Sequence, residues 1–71
     1  MGMVGIDTST PKGRVLVELN ELTEKTDKLT LFIGSENYKK LSQIQQDLLY
    51  RQMNIMHDYT IVLQSRLDNW E

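Results

Sequence analysis

From Ser42 to Trp70 the chain has neither Gly nor Pro, and its apolar residues fall on two helical stripes. Leu49, Met53, Met56, Leu63, Leu67 and Trp70 follow the alternating spacing of three and four that marks one helix face, with Thr60 filling the gap. Beside them runs a second stripe of Ile44, Leu48, Ile55, Tyr59 and Val62. A single helix of roughly 28 residues would span about 42 Å. One neighbouring helix covers one stripe, so this surface calls for more than one partner.

The rest of the chain leads up to that helix. Thr10-Pro11 is a helix start, a hydroxyl cap followed by proline at the first helical position. Gly13 weakens the first turn, which leaves Gly13 or Arg14 as alternative starts. From Arg14 to Ile33 no Gly or Pro intervenes. Val15, Leu19, Leu22, Leu29 and Ile33 keep a seven-residue pattern, interrupted by the polar Thr26 and widened by Leu16 and Phe32. The opposite, solvent-facing side carries Glu18, Glu21, Glu24, Lys25, Asp27 and Lys28, and Glu21–Lys25 and Glu24–Lys28 are i,i+4 pairs in the favourable order.

Gly34 is expected to end this helix as a glycine C-cap. Ser35 is expected to cap a short helix over Glu36–Leu41. Ser42 and Gln45 form a capping box that opens the long helix. The expected fold is all-α: an antiparallel two-helix hairpin with a short helical corner, occupying residues 10–71. Residues 1–9, with two glycines and a Thr/Ser cluster, are expected to be a flexible N-terminal arm.

Seventy-one residues make one small domain, and chains of this size bury too little surface to be secure alone. Cysteine is absent and His57 is the single histidine, so disulfides and a protein-made metal site are not expected. Homo-oligomerisation is the support that remains. A net charge of −2 and the lack of a basic helix face argue against DNA or RNA polymers as partners. No run of about 18 apolar residues predicts a membrane span. Residues 1–10 lack the basic start and apolar core of a secretory signal. The expected location is cytoplasmic.

Catalysis has little support. His57 and Asp58 are adjacent, so on a helix they point about 100° apart and cannot form a base–orienter pair. Asp58 and Asp68 are too far apart along one helix to act as a carboxylate pair. No Gly-rich phosphate loop is present, and no cofactor is expected. Met53 and Met56 read as packing residues. Tyr50 lies off the main stripe, and Tyr59 is expected to pack its ring and wet its hydroxyl. Among the basic residues Arg66 stands out. It borders the apolar stripe between Leu63 and Trp70, where a planar guanidinium can reach over an interface and grip phosphate.

Two ordered patterns carry a family resemblance. The first is Arg-Val-x-x-Glu-x-x-Glu-Leu at Arg14–Leu22, followed by Lys-Leu-x-x-Phe-Ile at Lys28–Ile33. The second is Leu-Leu-x-x-Gln-x-x-x-Met-x-x-Tyr-x-x-x-Leu-x-x-Arg-Leu at Leu48–Leu67. Together with the Gly-Ser corner they resemble the phage anti-CBASS cyclic-nucleotide sponges, which are very short helical proteins. The resemblance implies a compact helical hexamer that holds cyclic di- and trinucleotides between subunits and does not cleave them. It implies a phosphate-facing role for Lys28, a hydroxyl donor at Thr30, and a basic contact at Arg66 near the trinucleotide pockets. That family commonly stacks an early aromatic on a base, whereas here nothing aromatic precedes Phe32. Arg14, in the equivalent Lys12-Gly13-Arg14 segment, is the expected substitute, since a guanidinium also stacks on bases. The resemblance places such a protein in the host-cell cytoplasm. An alternative from a different class is a helical module that binds a host protein through the second stripe.

Overall fold

The computed structural model describes residues 9–70. All the regular structure among them is helical: α1 (Pro11–Ile33), α2 (Glu36–Lys39) and α3 (Gln43–Asp68), with no strand. Apart from Ser9, the expected N-terminal arm lies outside the described residues.

α1 begins where the Thr10-Pro11 signal places it. The Thr10 hydroxyl oxygen accepts the Gly13 N–H at 3.0 Å, satisfying one of the free amides of the first turn. The later starts at Gly13 and Arg14 are not used. α3 opens on Ser42, whose hydroxyl oxygen accepts the Gln45 N–H at 3.3 Å.

The turn between α1 and α2 differs from expectation in two ways. Gly34 closes α1 with φ of −82°, in the ordinary right-handed half of backbone space, so glycine's special freedom is not used there. The Ser35 side chain does not cap α2; its hydroxyl turns back and donates to the Phe32 carbonyl at 2.5 Å. Near a helix C-terminus the carbonyls lack partners, and this hydroxyl is close enough to take one. α2 is also shorter than expected and ends at Lys39.

Side chains from both sides then lock the corner. The Phe32 and Tyr38 rings meet edge to face with centroids 6.3 Å apart. Tyr38 Oη donates to the Gln46 carbonyl at 2.7 Å, and Gln46 Nε2 donates to the Leu41 carbonyl at 2.9 Å. These bonds tie the short helix to the first turn of α3 and hold the direction in which α3 leaves the corner.

α1 and α3 pack on each other. The first stripe of α3 faces the contact: Leu63 is fully buried, and Leu49, Met53, Met56, Thr60 and Leu67 are half-buried. From α1 come buried Val15 and half-buried Leu19, Leu22, Leu29 and Ile33. Thr26, the polar break in that pattern, is buried too. Its hydroxyl donates to the Leu22 carbonyl at 2.7 Å, so the helix itself satisfies the buried polar group.

Candidate ligand-binding site

Each residue expected to touch a ligand is exposed. Arg14 projects from the first turns of α1. Lys28 and Thr30 lie on its last two turns, and Arg66 on the last turn of α3. Lys28 Nζ sits 3.1 Å from Glu24 Oε1, and its side chain is 74% exposed. The pair is loose enough for an incoming phosphate to displace the carboxylate, since exposed ion pairs contribute at most about 1 kcal/mol. Glu21 and Lys25, the other expected pair, form no ion pair; Glu36–Lys39 does, at 3.4 Å.

Thr30 holds its hydroxyl proton inward, donating to the Thr26 carbonyl at 2.8 Å. To donate to a ligand it must leave that bond, at little cost because the Thr26 carbonyl lies in a regular helix. Lys28 and Thr30 are two residues apart, so they point about 200° apart around α1. Arg14 and Lys28 are separated by about 21 Å along the same helix. One protomer therefore does not bring the four residues together.

What one protomer does bring together is Glu18, Tyr59 and Arg66. Tyr59 Oη donates to Glu18 Oε2 at 2.5 Å. That bond, more than burial or the carboxylate's charge, raises the phenol's pKa above its ordinary value, while Arg66 pulls the other way. Sequence reasoning placed Glu18 on the solvent face and did not pair it with Tyr59. The two are 41 residues apart, and only their pairing across the helix contact reveals the bond.

Grooves flank the α1–α3 seam among the described residues. One, of about 390 Å³, is lined by Leu19, Asn20, Thr23, Thr60, Ile61 and Gln64. It is uncharged and rich in amides and hydroxyls, groups that suit the edges of a base better than a phosphate. A second, of about 260 Å³, is lined by Glu18, Glu21, Leu22, Lys25 and Tyr59, and its carboxylates disfavour an anion. Neither groove contains Arg14, Lys28, Thr30 or Arg66. Among the described residues no cluster of His, Asp and Glu could hold a metal ion, and no helix is long and apolar enough to cross a membrane.

The Sequestin family model matches residues 9–69, a span that takes in all three helices. No curated protein and no solved structure matches the chain. The family's name denotes sequestration, the role implied by the resemblance that the Arg14–Leu22, Lys28–Ile33 and Leu48–Leu67 patterns carry. With the match running through nearly the whole sequence, this chain belongs to the Sequestin family.

Proposed function

We propose that this chain is a phage-encoded, non-enzymatic sponge that binds cyclic di- or trinucleotide second messengers and releases them intact, so that host CBASS immunity is not triggered. The observation that carries this reading is the Sequestin match over residues 9–69. The helices form an antiparallel hairpin, supported by the α1–α3 packing, the Glu18–Tyr59 bond and the short corner between them. The hairpin assembles into a homo-oligomer, a hexamer by resemblance, in the host-cell cytoplasm.

The packing supports assembly. Val15 and Leu63 are the two buried hydrophobic residues among those described, a small core for one domain. The dispersal of Arg14, Lys28, Thr30 and Arg66 over one protomer fits pockets built where copies meet. A cyclic ligand with two phosphates suits a pocket that duplicates each side chain by symmetry. Charge-assisted bonds contribute about 1.5–3 kcal/mol each, and base stacking about 1–3 kcal/mol per base. A few of each, less the cost of ordering, reach the range of about 8–12 kcal/mol that separates micromolar from nanomolar binding.

The test is direct. The purified protein is mixed with a panel of cyclic di- and trinucleotides, freed of small molecules, and denatured. At least one intact nucleotide is expected in the supernatant; recovery of none, or only of cleaved products, defeats the reading. The exposed second stripe favours one competing reading, a module that binds a host protein. A stoichiometric protein partner with no nucleotide bound would select it.

A further inference from the structure

We infer that the groove lined by Glu18, Glu21, Leu22, Lys25 and Tyr59 reads a guanine base, which makes guanine-bearing cyclic nucleotides the preferred cargo. This rests on the sponge reading above and names the base that reading leaves open.

Size sets the scale of the occupant. The groove holds about 260 Å³, just below the range of about 300–1,000 Å³ that accommodates drug-sized ligands. A single base fits that space, whereas a cyclic dinucleotide, with two bases and two sugars, exceeds it. The phosphates of a bound ligand therefore lie outside the groove, and cations stand ready there. Arg14, Glu18, Glu21, Lys25 and Lys28 fall within about 80° of arc on α1. Arg14 and Lys28 thus bracket the lining residues along one stripe. On α3, Arg66 lies about two turns beyond Tyr59 on the same side, near enough to act on the phenol electrostatically. The carboxylates hold the middle, where they repel a phosphate and accept protons from a base.

The lining selects the base. Glu21 and Lys25 are spaced to pair with each other, yet neither forms an ion pair or a side-chain hydrogen bond among the described residues. A carboxylate that only accepts and an ammonium that only donates are left open one turn apart. Guanine's pairing edge is their complement: N–H donors at N1 and N2 next to the O6 acceptor. Glu21 accepts both N–H groups, and Lys25 donates to O6. Adenine and cytosine set a ring-nitrogen acceptor beside their amino group, and uracil sets its one N–H between two carbonyls. Each of them turns an acceptor on the carboxylate and leaves both groups unsatisfied.

Tyr59 and Leu22 complete the subsite. Tyr59 Oη is held by Glu18 Oε2 at 2.5 Å, so the ring is oriented before a base arrives. Bases stack on such rings whatever their identity. Half-buried Leu22 adds an apolar wall.

The purified full chain is titrated by isothermal calorimetry with cyclic di-GMP, cyclic di-AMP and cyclic di-IMP. Cyclic di-GMP is expected to bind about tenfold or more tightly than cyclic di-AMP. Inosine keeps O6 and N1–H but lacks the 2-amino group, so cyclic di-IMP is expected to fall between them. Glu21→Gln exchanges one acceptor oxygen for a donor at constant size. It is expected to bring cyclic di-GMP and cyclic di-AMP within about threefold of each other, with helicity by circular dichroism unchanged. Lys25→Met is expected to weaken cyclic di-GMP about tenfold. Cyclic di-AMP bound as tightly as cyclic di-GMP, or a guanine preference that survives both substitutions, would overturn this inference and leave the sponge reading standing. Binding of no cyclic di- or trinucleotide at all would overturn both.

Discussion

Tyr59 in α3 donates its hydroxyl proton to Glu18 in α1 at 2.5 Å, a polar tie between the two long helices across 41 residues. Both side chains are exposed, so water competes for each partner. Replacing Tyr59 by Phe is expected to lower the melting temperature modestly near neutral pH. The phenol's pKa is raised in the fold, chiefly because Glu18 accepts its proton. Its contribution is therefore complete below the ordinary tyrosine value of about 10 and is lost as the pH rises through the raised one. Thermal melts of wild type and Tyr59→Phe over an alkaline series should converge with rising pH. A constant gap would show that the hydroxyl proton is not the source of the difference.

Leu63 is the residue on which the helix contact depends most. It is fully buried, and its loss leaves a void between α1 and α3. Leu63→Ala is expected to cost about 2–5 kcal/mol in chemical denaturation, a large share of what a chain of this size has to lose.

Thr26 should behave in the opposite way. Its hydroxyl bonds only to the Leu22 carbonyl, one turn back in its own helix. Thr26→Val keeps the shape and leaves that carbonyl in its backbone bond. Stability within about 1 kcal/mol of wild type, or above it, is expected from the same denaturation experiment.

Gly34→Ala is expected to raise stability by about 0.4–1 kcal/mol, because alanine restricts the unfolded chain more than glycine does. The backbone there has φ of −82°, and an added methyl group meets nothing nearer than the Leu31 carbonyl oxygen at 3.7 Å. A fall in melting temperature would mean that the turn needs a glycine for a reason other than backbone angle.

Lys28→Ala should leave helicity by circular dichroism unchanged, since its ion pair with Glu24 is exposed. Isothermal titration should show at least a tenfold loss of affinity for one class of cyclic nucleotide. Unchanged affinity for every class would remove Lys28 from the site.

Much of the fold was legible in the sequence because helix periodicity is a local property. Thr10-Pro11 marked the start of α1 and Ser42 the start of α3, and each side chain forms the cap its position implied. The two stripes of α3 separated as their spacing required: the first turned to α1, and the second stayed exposed. The candidate site was less legible. The resemblance points to Arg14, Lys28 and Thr30, and Arg66 also stands out by its place beside the apolar stripe, but no local spacing says which of them share a pocket.

Sequence by itself determined three helices and their facing stripes, because capping and amphipathic spacing act within a few residues. Tertiary structure alone decided that Thr26 joins the seam, that Ser35 turns back to Phe32, that Gln46 and Tyr38 fasten the corner, and that Glu18 finds Tyr59. Each of those outcomes depends on which group is nearest once the helices have packed. That is a matter of distance in space, and spacing along the chain does not record it.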